Sequence, residues 1–400
     1  MKDLREQALG ITEKIIEWRR SFHRIPELDL HLPKTSEMVQ KVLKEMGIPF
    51  RTFKDHSGIE AHITGRKVDE KSKTVALRAD MDGLRIKEKA EVPYASDTGN
   101  MHACGHDAHM AMVLGAARLL LDNIEELEGN VKLIFQPGEE KSGGAERMLK
   151  EGVFENPRVD LVLGQHVGLL VPELPNGHFG FYPGNFMASR DSFRITVEGK
   201  GGHGSTPASS VDPIVIASHL ILALQTLVSR EVDGTDSVVI TVGSIHGGET
   251  YNVIPETVEL IGAIRCLKEE QRDYFRQRIH NLCQGICESM RGSCSIDYER
   301  GYPVTFNHFV ETKFVMEQAI QLFGEERVHL LEQPLMGSED FSFFLQEALG
   351  CYWIFATQPV GSKVYPNHNP RFELDDSLLY MGSALMAQTT LSWLRSSKSR

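Results

Sequence analysis

The sequence predicts an α/β fold with a mostly parallel sheet, interrupted by an inserted two-layer α+β domain. Three observations carry this expectation. Short apolar strands alternate with helical patterns up to about residue 186. From residue 187 the strands alternate apolar with polar, in the order strand–helix–strand–strand–helix–strand, which is ferredoxin-like. The βα character then resumes. Residues 1–186 and 302–400 are therefore read as one discontinuous domain, and 187–301 as the insert.

The elements follow in order. Ile11, Ile15, Ile16, Trp18 and Phe22 form the buried stripe of a first amphipathic helix. "TVALRADMDGL", "NVKLIFQPGEE" and "VDLVLGQHVGL" are apolar strands, each running into polar residues, and "AHMAMVLGAARLLLDNIEEL" is a helix between the first two. Ligands of such sheets bind beyond the carboxyl ends of the strands, where these polar residues stand. In the insert, "SFRITVEGKGGHGSTP" is an alternating strand and a glycine-rich turn. The helix "DPIVIASHLILALQTLVSR" follows, then strands "SVVITVGSIHGG" and "ETVELIGAIRCL", a long helix and a closing strand. Alternation fits a sheet covered on one face. The final residues 396–400 read as a frayed end.

With 400 residues, 41% hydrophobic and 24% charged, the chain has the make-up of a soluble globular protein. Its net charge of −12 argues against nucleic acid and against an anionic membrane as partner. No secretory signal is read at the N-terminus and no apolar run long enough to span a bilayer. The six scattered cysteines suggest reduced thiols in a cytoplasm, with Cys283 and Cys287 as core residues.

The chemistry concentrates in "HACGHDAH". Cys104 and His106, two residues apart in a turn before a helix, can face one metal, and sulfur with nitrogen suits Zn, Mn, Co or Ni. The helix start would keep Cys104 ionised. Glu139 and Glu140 end a strand pattern. In extended chain they would point opposite ways, one to a metal and one free as a base. His166, His368 between two asparagines, and the Glu339–Asp340 pair are weaker signals from separate segments.

Together these motifs resemble the M20 metallopeptidase and amidohydrolase family, in the branch of N-acyl-amino-acid amidohydrolases, hippurate hydrolases and plant auxin-conjugate hydrolases. The resemblance runs from "FHRIPEL" through "LRADMDGL", "MHACGHDAH", "IFQPGEE", "GGHGSTP", "YNVIP", "GAIRC" and "GSEDF" to "HNPRF". It implies a zinc-peptidase-like catalytic domain with a lid or dimerisation insert. It also implies two divalent ions (Mn, Zn, Co or Ni) on Cys104, His106, Glu140, His166 and His368, with Cys104 shared and Glu139 as general acid/base. His203 would stabilise the oxyanion, often in a partner subunit's site, while Asn252 and Arg265 would hold the substrate. The alternative for Arg265 is an exposed strand charge. Asp80 and Asp82 stand where much of the family has His-x-Asp, and are read as supports. "HGSTPA" replaces the branch's "HAAMPH", which leaves room for a carboxypeptidase-like preference.

The implied activity is hydrolysis of N-acyl-L-amino acids by a cytoplasmic homodimer or homotetramer, with a metallo-carboxypeptidase or dipeptidase as the alternative. Two other classes compete. A metal-dependent binding protein has no need of Glu139, and a Cys104–His106 cysteine hydrolase would resist chelators.

Overall fold

The Thr74–Asp80 strand is buried along its whole length, as a strand covered on both faces must be. It pairs in parallel with Asn130–Gln136 on one side and Leu161–Val167 on the other, and Asp80 lies opposite Gln136. Leu349–Phe355 adds a fourth parallel strand beside Leu161–Val167. Ile59–Thr64 and Phe50–Thr52 extend one side antiparallel. Phe179–Phe181 and Val328–Leu330 complete an eight-stranded sheet at the other. The fold is thus the expected α/β class, with a mostly parallel central sheet. The computed structural model describes residues 3–66, 68–69, 71–359, 361 and 363–397.

The His106–Asp122 helix is buried through nearly its whole circumference. It packs against the Thr12–His23 and Leu379–Ser397 helices. Ile15, Trp18 and Phe22 are the buried face of the first of these, with Ile11 and Ile16 half-buried. Ser396 and Ser397 belong to the last helix, whereas residues 398–400 of the expected frayed end lie outside the described residues.

The chain divides into two compact units. The first comprises Met1–Gly184, Phe306–Gln333 and Phe343–Arg400, and the second Asn185–Thr305 with Pro334–Ser342. The second unit is built on a four-stranded antiparallel sheet, in the order Val238–His246, Thr257–Cys266, Asp191–Glu198, Ser293–Glu299. Phe193, Ile195 and Val197 alternate inward with polar neighbours outward. Phe275, Ile279, Cys283 and Cys287 meet them from the Glu269–Ser289 helix. All six cysteines are free thiols.

The Pro213–Glu231 helix is long and apolar enough to cross a membrane by length and composition. Its Ile216, Ala217, Leu220, Leu224 and Leu227 are buried in the core of the second unit, against the sheet. Its opposite face exposes Ile214, Val215 and Leu222. The high mean hydropathy thus comes from two apolar faces, of which the sheet covers one.

Candidate metal centre

The polar ends of the parallel strands converge. Gly105, at φ +88°, caps the helix that His106 begins, so Cys104 and His106 flank one left-handed residue. A Cβ on Gly105 would stand 2.6 Å from Val167 Cγ2. Cys104 Sγ lies 3.4 Å from His166 Nε2 and 3.2 Å from His368 Nε2. His368 Nε2 is also 3.1 Å from Glu140 Oε1. Two groups of possible metal donors therefore meet on one sulfur: Cys104–His106–His166 and Cys104–Glu140–His368, each within 4.8 Å. All five predicted ligands come from the first unit, and His368 is the exposed one.

Glu139 and Glu140 depart from the strand-based expectation. The strand ends at Gln136, and Gly138 at φ +75° leads into a turn that carries both glutamates. Asp82 clamps that turn by accepting the Glu139 N–H at 3.1 Å and the Glu140 N–H at 3.2 Å. Both carboxylates consequently share one 4.8 Å neighbourhood with His106 instead of pointing apart. Burial distinguishes them, since Glu139 is buried and Glu140 partly exposed.

The electrostatics also revise one point. Burial, then Glu140 and Glu139, push the Cys104 thiol well above its usual range, so the helix start does not ionise it unaided. Burial alone would lower the His106 imidazole. Asp80, Asp82 and Glu140 outweigh it and push the group up to about 10. Burial and then His109 hold His166 well below its usual value, in the neutral form.

A layer of side chains behind the donors was not legible as function. Asn367 donates to the carbonyls of Cys104 and Val167, both at 3.1 Å, and accepts the Leu169 N–H at 3.0 Å. Asp107 meets Arg19 Nε at 2.7 Å and His23 Nδ1 at 2.8 Å. His23 Nε2 is 3.0 Å from Glu88. With a carboxylate at each ring nitrogen, His23 donates twice and is an imidazolium. The available signals were Asn367 beside His368 and Asp107 beside His106, adjacent to candidate ligands in the chain.

The other predicted residues lie in the second unit. His203 is exposed on the short Gly202–His203 strand, paired with Val253–Ile254. Its Nδ1 accepts the Ser205 N–H at 3.1 Å, which places the ring proton of the neutral tautomer on Nε2. Asn252 is exposed, and its carbonyl accepts the Gly204 N–H at 2.9 Å. Arg265 is half-buried, donating to the Met336 carbonyl at 2.9 Å, so it is not a fully exposed strand charge.

The sequence matches the model of Peptidase family M20/M25/M40 over residues 76–392. The chain belongs to this family. Two known proteins are similar to it over nearly the whole chain. It is 35% identical to N-acetyl-L-cysteine deacetylase of Bacillus subtilis over 400 residues, 100% of this chain and 91% of that one. It is 36% identical to thermostable carboxypeptidase 2 of Saccharolobus solfataricus over 389 residues, 96% of each chain. Among solved M20 structures, a B. subtilis protein described as a dinuclear metal binding peptidase superposes with a TM-score of 0.82. It is 30% identical, covering 96% of this chain and 99% of its own.

Proposed function

We propose that this M20 hydrolase cleaves the amide bond of N-acyl-L-amino acids with two divalent metal ions. The observation that carries the proposal is the pair of donor groups meeting on Cys104. The residues fit such ions. Both ring nitrogens of buried His106 lack a hydrogen-bond partner, and its nearest carboxylate oxygens are at 3.4 Å (Asp80) and 3.5 Å (Asp82). A cation there would take the place of the proton that His106 otherwise binds. Cys104, His106, Glu140, His166 and His368 would hold the pair, with Cys104 common to both. Mn, Zn, Co and Ni all suit this mixed donor set.

When bound, the ions activate a water and polarise the scissile carbonyl. Glu139, buried and outside the proposed ligand set, takes the water's proton and returns it to the leaving nitrogen. His203 Nε2–H donates to the carbonyl oxygen as charge develops on it. Arg265 and Asn252 hold the substrate, Arg265 at its carboxylate. The exposed ribbon bearing His203, with Tyr251 fully exposed and Val253 half-exposed beside it, supports the reading that His203 serves the site of a second copy. The apolar outer face of the Pro213–Glu231 helix supports assembly through the second unit, as a lid and dimerisation domain. Six free thiols suit a reducing cytoplasm.

A metallo-carboxypeptidase or dipeptidase is the second reading, favoured by the name of the Saccharolobus relative. The test measures hydrolysis of N-acetyl- and N-benzoyl-amino acids beside dipeptides. Chelated protein is compared with protein reloaded with Mn, Zn, Co or Ni. Metal-restored cleavage of acyl-amino acids supports the first reading, and cleavage of dipeptides alone supports the second. Hydrolysis that survives chelation sinks both.

A further inference from the structure

His109 lies three residues beyond His106 on the same buried helix and is 2% exposed. Its Nδ1 is 2.6 Å from Asp80 Oδ1, and its Nε2 accepts the Val167 N–H at 3.0 Å. A ring nitrogen that accepts carries no proton, so the proton is on Nδ1 and is donated to Asp80. Asp80, His106 and His109 present donor atoms within 4.8 Å of one another. Both nitrogens of His109 are nonetheless engaged, and no lone pair is left for a metal.

The contacts continue on either side. Asp80 accepts from Arg78 at 2.8 Å, and Arg78 donates to Gln136 at 2.9 Å, so the ends of two adjacent parallel strands are already tied together. Through His109 this tie reaches the end of a third strand. There the Val167 carbonyl lies 2.9 Å from His166 Nδ1. That contact commits the Nδ1–H of His166 and leaves Nε2 with the lone pair, 3.4 Å from Cys104 Sγ. Resting on the metal centre proposed above, we infer that His109 is a positioning residue. Its Nε2, by accepting the Val167 N–H, holds the end of the third strand and thereby fixes the tautomer and aim of His166.

Two conservative variants separate this from a space-filling role. In His109→Asn the amide can reach Asp80 from the Nδ1 position, but nothing reaches Val167. In His109→Gln the terminal oxygen reaches the Nε2 position and can still accept from Val167 N–H. Full-length protein is stripped by chelator and titrated with Co(II), reading affinity by chelator competition and ligand geometry by the visible absorption band. The Asn variant is expected to bind about 10–100-fold more weakly, with a shifted band. The Gln variant is expected to stay within about fivefold of the parent. Equal affinities in the two variants, or a Gln variant weaker than the Asn variant, overturn the role assigned to His109 and leave the metal centre standing. A parent chain that takes up no cobalt overturns both.

Discussion

Gly105 and Gly99 make a matched pair for measuring what the Cys-Gly-His turn requires. Their φ angles are nearly the same, +88° and +85°. An L-residue in that region costs about 1–2 kcal/mol. A Cβ on Gly99 would meet nothing within 4 Å, whereas on Gly105 it would stand 2.6 Å from Val167 Cγ2. Overpacking of this kind costs about 1–3 kcal/mol. Val167 is also poorly placed to move, since its N–H is held by His109 and its carbonyl by Asn367. Gly99→Ala is thus expected to lose about 1–2 kcal/mol, and Gly105→Ala about 2–5 kcal/mol. Urea unfolding followed by tryptophan fluorescence isolates the relevant unit, because Trp18, Trp353 and Trp393 all lie in the first one. Equal losses in the two variants would refute the steric argument and leave backbone conformation as the whole requirement.

Three further outcomes are expected. Glu139→Gln should keep its metal and lose about 10²–10⁴-fold in turnover; near-parental turnover would remove Glu139 as the base. His203→Ala should lose turnover without losing metal, and mixing it with Glu139→Gln protein should restore part of it. No recovery in the mixture would rule out action across subunits. The third concerns pH. Burial would lower the His23 imidazole, but Asp107, with hydrogen bonds to Asp107 and Glu88, outweighs burial and Arg19 and leaves it raised. A raised folded value means stability that is fully present below the unfolded value of about 6.5 and lost as pH rises through the folded value. The stability difference between parent and His23→Gln should therefore be largest below pH ~6 and shrink in alkali. A pH-independent difference would show that His23 is not held as an imidazolium.

The sheet was legible because its strands are locally apolar and end at polar residues, and Thr74–Asp80, Asn130–Gln136 and Leu161–Val167 lie where the pattern put them. The ligand candidates were legible because sulfur and imidazole in a short turn are chemically conspicuous. The orientation of Glu139 and Glu140 was not. It depends on a left-handed Gly138 and on Asp82, which is far away in sequence. The supporting residues were hidden for the same reason. Asn367 acts on Cys104 and Val167 across long stretches of chain, and no local pattern encodes its partners. The Pro213–Glu231 helix shows the converse problem, since its composition speaks strongly while only the sheet beneath it says which face is core.

The place of the Leu349–Phe355 strand has a consequence for biosynthesis. It lies between Leu161–Val167 and Phe179–Phe181, both made long before it. At ribosomal speeds of ~5–20 residues/s, the edge of the fully buried Leu161–Val167 strand waits on the order of ten seconds for its partner. The sheet of the second unit is completed sooner, because its four strands lie in one uninterrupted stretch of chain. The inserted sheet can therefore fold first, while the nascent first unit still presents an open strand edge to other chains. The metal ligands follow the same schedule. His368 is translated after that strand, so a ribosome-bound chain acquires this fifth donor last of the five.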